Sequence, residues 1–186
     1  MHLRKKSLLI VSMAVLWGGL CRAQPNVVAY YPAWLRGTLP AEMVEYENIT
    51  HINVAFAWPL SNGTIVDYPE LPYPDLVTQA HLAGKKILPS MGGWGQSSGF
   101  PPMSADSIAR ASFVQNLVYY IQSNEYDGVD LDWEFPETVT DRANQILLVR
   151  DIRNAFDANG QDWIISMAVS LGDWYGRWSD YPALSQ

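Results

Sequence analysis

Apolar and polar positions follow two periods along the chain after residue 24. Residues 27–31 form a short β-prone apolar run closed by Pro32, and residues 49–58 a second one closed by Pro59. A third, 86–89, leads into Ser90-Met91-Gly92-Gly93-Trp94-Gly95. The fourth and fifth cover 126–135 and 163–170. Between them the period lengthens towards 3.6, the mark of a helix with one apolar face. It predicts helices over 75–83, over 105–123 (Ile108, Phe113, Leu117, Val118, Ile121) and over 140–158 (Ala143, Ile146, Leu147, Val149, Ile152). Gly160 is a stop signal for the last of these.

Strand, helix and strand in series imply parallel strands joined by crossover helices. Two α/β architectures fit, a doubly wound open sheet and a (β/α)8 barrel. No G-x-G-x-x-G and no Walker loop follows any strand, which favours the barrel. No linker, repeat or low-complexity stretch interrupts residues 24–186, so one domain is expected there.

The fourth run carries the chemistry. It reads Tyr126-Asp127-Gly128-Val129-Asp130-Leu131-Asp132-Trp133-Glu134-Phe135-Pro136. Strand side chains alternate faces, so Val129, Leu131 and Trp133 point one way and Asp130, Asp132 and Glu134 the other. The apolar set suits a layer of helices. The acids then line the opposite face, about 7 Å apart along the strand. Their mutual repulsion and their burial raise the pKa of at least one of them. A raised carboxyl pKa suits proton transfer near neutral pH. Glu134 stands at the C-terminal end, where barrel active sites lie. A calcium loop would need glycine at the sixth position from Asp130, and Phe135 stands there. A magnesium or manganese site remains open on spacing alone, although metal acids usually converge from several strands. Asp132 and Glu134 approach from one side, so the pair is badly placed to act on opposite faces of one bound molecule.

The N-terminus changes the composition. A basic stretch (Arg4, Lys5, Lys6), an apolar run over 8–20 and Cys21-Arg22-Ala23 read as a secretory signal peptide over 1–23. The run is short for a membrane span, which takes about 20 apolar residues. Cleavage would remove the only cysteine and four basic residues, making a chain of net charge −7 more acidic still. That argues against nucleic acid and anionic membranes as partners. It allows a neutral polysaccharide, and Trp34, Trp58, Trp94, Trp133, Trp163, Trp174 and Trp178 are available to stack on sugar rings or to pack a core.

The run from Asp127 to Glu134 resembles the D-G-x-D-x-D-W-E signature of glycoside hydrolase family 18, the chitinases. Ser90-Met91-Gly92-Gly93 resembles that family's S-x-G-G on its third strand. Val28-Ala29-Tyr30-Tyr31 and His51-Ile52-Asn53-Val54-Ala55-Phe56 resemble its first and second strands. The resemblance implies a (β/α)8 barrel that cleaves β-1,4 links between N-acetylglucosamine units with the help of the substrate's own acetamide. Glu134 would be the acid, Asp132 would hold the acetamide, and Asp130 would share a proton with Asp132. Tyr30 and Ser90 would support Asp130, and Asp127 joins the supporting set. Gly92 and Gly93 would let the sugar come close to the backbone, and Phe56, Trp94 and Phe135 would line its subsites. No cofactor and no metal is implied; the partner is chitin or a chitooligosaccharide, met after secretion, in the extracellular space or the periplasm. Alternatives on the same fold are a non-catalytic sugar-binding protein and an endo-acting hydrolase of N-glycan cores. The sequence stops soon after the fifth strand, without the family's sixth-strand Met-x-Tyr-Asp or eighth-strand Trp. The barrel is therefore expected to be incomplete, and the chain alone inactive.

Overall fold

A computed structural model describes residues 25–185. The proposed signal peptide lies outside the described residues. Five strands run parallel in chain order: β1 (Val28–Pro32), β2 (His51–Pro59), β4 (Lys86–Gly92), β5 (Gly128–Asp132) and β6 (Ile164–Met167). A sixth, β3 (Ile65–Asp67), returns antiparallel on β2. The crossovers carry α1 (Pro74–Leu82), α2 (Phe100–Ala105), α3 (Ser107–Ser123) and α4 (Val139–Ala158); α5 (Tyr181–Leu184) follows β6.

Strand order decides between the two architectures. A doubly wound sheet reverses its order at a switch point and carries helices on both faces. Among the described residues the order never reverses. The apolar side chains that meet the helices all lie on one face: Ile52 and Val54, Ile87 and Met91, Val129, Leu131 and Trp133. They pack on Phe113, Leu117 and Ile121 of α3 and on Leu148, Ile152 and Phe156 of α4. Burying each such side chain stabilises the fold by roughly 1.5–3 kcal/mol. The fold is the first five strands of a (β/α)8 barrel, as the sequence led us to expect.

The other face is the barrel's inner side. The period of two brings Tyr30, Asn53, Ser90, Asp130, Asp132 and Ser166 to it. Register aligns them: Ser90 pairs with Asp130, Gly92 with Asp132, and Asp130 with Ser166.

Local chemistry sets the boundaries. The helix expected over 105–123 begins at Ser107, because the Asp106 carboxylate accepts the N–H groups of Ile108 and Ala109 at 2.8 and 2.9 Å and caps it. α2 was not expected; Pro101 and Pro102 stand in its first turn, where proline costs nothing. β3 was also missed, although Asn62-Gly63 between two apolar runs is a hairpin signal. The fourth strand is shorter than expected, ending at Asp132, yet the alternation continues through buried Trp133 to half-buried Glu134.

Candidate active site

Asp130 is the anchored member of the acidic row. It is 1% exposed. Its Oδ2 accepts hydrogen bonds from the Tyr30 hydroxyl at 2.9 Å and the Ser90 hydroxyl at 2.7 Å. Its Oδ1 accepts one from the Ser166 hydroxyl at 2.6 Å. Tyr30 is pushed well above the usual phenol range, first by burial and then by the charge of Asp130, so it remains a donor. Tyr30 and Ser90 were expected in this place. Ser166 was not; its only signal is an inward position in an apolar strand.

Asp132 contrasts with it. Its carboxyl is buried, and Oδ1 has no hydrogen-bond partner. Burial, then the neighbouring Glu134, then Asp130 push its pKa up to about 7. The repulsion foreseen in the row thus acts on its middle member, whose buried Oδ1 has no partner. Glu134 follows at the rim, half-buried, beyond the last β5 residue.

Two glycines make room for the protein's own atoms. A Cβ on Gly92 would lie 2.2 Å from the Asp132 carbonyl oxygen, and one on Gly93 would lie 2.8 Å from the Phe56 ring. Both have positive φ, +115° and +94°. What demands glycine here is contact with Asp132 and Phe56, in addition to any sugar.

The aromatic residues spread around the same end of the sheet. β2 gains one residue over β4 between Ala55 and Ala57, and the extra residue is Phe56. Such a bulge re-aims a side chain. Trp34 lies against Phe56 at 6.3 Å between ring centroids. Trp94 is 80% exposed on the loop after β4. Phe135 stacks on Tyr175, with centroids 4.4 Å apart. A cavity of about 400 Å³ lined by Trp58, Leu60, Asn62, Gln96 and Ser98 lies between the β2–β3 turn and this loop, and the acids take no part in it.

Asp127 does not join the site, contrary to its placement in the supporting set. It precedes β5, at the N-terminal end of the sheet. Its carboxylate accepts from Lys86 Nζ at 2.7 Å and the Ile87 N–H at 2.9 Å, and bonds His81 Nε2 at 2.9 Å. Burial alone would raise it, but these partners outweigh burial and hold it below the usual carboxylate range. It fastens β5 to β4 at the end opposite the acids.

Residues 26–186 match the family model of the glycosyl hydrolases family 18. The chain belongs to that family. It is 29% identical over 165 residues to Chitinase 1 of Aphanocladium album, covering 74% of this chain and 39% of that protein. Its fold superposes on the Group IV chitinase of Ostrinia furnacalis with a TM-score of 0.80 at 25% identity, over 87% of this chain and 48% of the other. The same chitinase in complex with allosamidin gives a TM-score of 0.79. The chain thus spans about half or less of the length of these relatives. Among the described residues, no helix is long and apolar enough to cross a membrane.

Proposed function

We propose that this family 18 member hydrolyses β-1,4-linked N-acetylglucosamine chains by substrate-assisted, retaining catalysis. The observation that carries this reading is the buried Asp132 carboxyl, raised to about 7 and with Oδ1 unpartnered, two residues before Glu134 on the run that continues β5. A carboxyl so placed can receive the N–H of a substrate acetamide. It is badly placed as a nucleophile, because it approaches from the same side as Glu134.

Glu134 gives its proton to the glycosidic oxygen as that bond breaks. The acetamide carbonyl oxygen attacks the anomeric carbon from the other side and forms a cyclic oxazolinium ion. Asp132 accepts the acetamide N–H and stabilises the charge that develops there. Asp130, held by three hydroxyls, fixes the position of its neighbour; a proton on Asp132 relieves the repulsion within the row. Water, deprotonated by Glu134, then opens the ring with net retention. The exposed aromatic rings at this end offer faces for sugar stacking. The allosamidin complex and the chitinase names of the relatives support the substrate class. Residues 1–23 would direct the enzyme out of the cell.

The test is Glu134→Gln in the full-length protein. Chitooligosaccharide turnover should fall by about 10²–10⁴-fold, the usual worth of a general acid, while binding by calorimetry stays near wild type. Turnover within a few-fold of wild type would overturn the role of Glu134. Wild-type protein that binds the oligosaccharide but never cleaves it would favour a sugar-binding protein instead.

A further inference from the structure

Beyond the end of β4 the chain leaves the sheet. Gly92 is the last β4 residue in register with β5, opposite Asp132, and Gly93 and Gly95 turn the chain away with φ of +94° and +82°. The next inward residue of the β5 run, Glu134, therefore has no strand beside it to receive its N–H. Ser97 fills that place. Its Oγ accepts the Glu134 N–H at 2.9 Å. Its own proton faces the carbonyl oxygens of Asp132 at 3.1 Å and Gly93 at 3.2 Å. Ser97 is 6% exposed. The same turn is fastened again by the Gly93 N–H, which donates to the Asp132 carbonyl oxygen at 2.8 Å. One buried hydroxyl thus grips the backbone on both sides of Trp133, at the carbonyl of Asp132 and the amide of Glu134.

We propose that Ser97 is a positioning residue for the general acid: it fixes the Glu134 peptide and so aims its carboxyl at the leaving oxygen. This rests on the assignment of Glu134 as the acid. Proton transfer needs the two heavy atoms within about 2.6–3.2 Å, and a displacement near 1 Å costs on the order of a hundredfold. Removing the hydroxyl would also leave the Glu134 N–H without its partner, so that the peptide turns to find another.

A serine that only stabilised the fold would affect all substrates alike. A serine that aims the acid affects each substrate in proportion to its need for a proton. A sugar leaving group needs one; a para-nitrophenol departs as a stable anion and needs little help. The experiment uses the full-length protein as wild type, Ser97→Ala, Ser97→Cys and Glu134→Gln. Each is assayed on chitotetraose and on the para-nitrophenyl glycoside of chitobiose, with thermal unfolding measured alongside. Ser97→Ala should lower kcat on chitotetraose by about 10- to 100-fold with little change in KM, and affect the aryl glycoside far less. Ser97→Cys should show a smaller loss in the same direction, because sulfur is a weaker acceptor; it carries the comparison if the alanine variant does not fold. Equal losses on both substrates, while Glu134→Gln still discriminates between them, would overturn the role of Ser97. If Glu134→Gln does not discriminate either, it is the assignment of the acid that fails.

Discussion

The three acids of the row are held in three different ways, and the differences support the roles proposed for them. Asp130 spends both oxygens on hydroxyl donors, Asp132 keeps one oxygen free, and Glu134 sits at the rim. A pH dependence follows from Asp132. Its folded value of about 7 lies above its ordinary 3.8, so the folded state binds the proton more tightly than the unfolded state between those values. Stability from this group is therefore greatest below the lower value, falls as pH rises towards the upper one, and is constant above it. Thermal unfolding of wild type should show this decline, and Asp132→Asn should lack it. Parallel curves for the two proteins would contradict it. At this scale the period-two pattern made the acids legible, along with the face they share. The hydroxyls of Ser97 and Ser166 were not legible, because a serine in a loop or an apolar strand gives no sign of the carboxylate or amide it meets. Asp127 was misread for a related reason: membership of a sequence motif does not say which end of the strand a residue faces.

The junction of β4 with β5 governs the site at the level of elements. Gly92 brings the two strands so close that a methyl group there would lie 2.2 Å from the Asp132 carbonyl oxygen, in a backbone conformation that side chains resist. Gly92→Ala should therefore destabilise the fold by at least about 2 kcal/mol and displace Asp132, with loss of activity beyond the loss of folded protein. Calorimetric unfolding together with specific activity per folded molecule checks it; an unchanged melting temperature would contradict it. Long elements were legible because many residues vote for one period: α3, α4 and the five parallel strands all lie where the pattern put them, within a few residues. The short ones escaped. β3 has 3 residues and α2 has 6. In α2, two prolines suit a first turn and would break any later one.

For the whole molecule, the open ends of the sheet matter most. Among the described residues β1 and β6 are paired on one side only, and their surroundings expose apolar side chains: Val27 at 42%, Val28 at 48%, Val169 at 40% and Leu171 at 94%. Unpaired strand edges invite association, and a parallel sheet is normally covered on both faces. The central claim is that the substrate's acetamide, oriented by Asp132, does the work of a nucleophile. It is tested most directly by comparing kcat/KM of the full-length protein on chitopentaose and on cellopentaose, which differ only at that group. Cleavage confined to chitopentaose is the expected result, and cellopentaose cleaved at a comparable rate would contradict the mechanism.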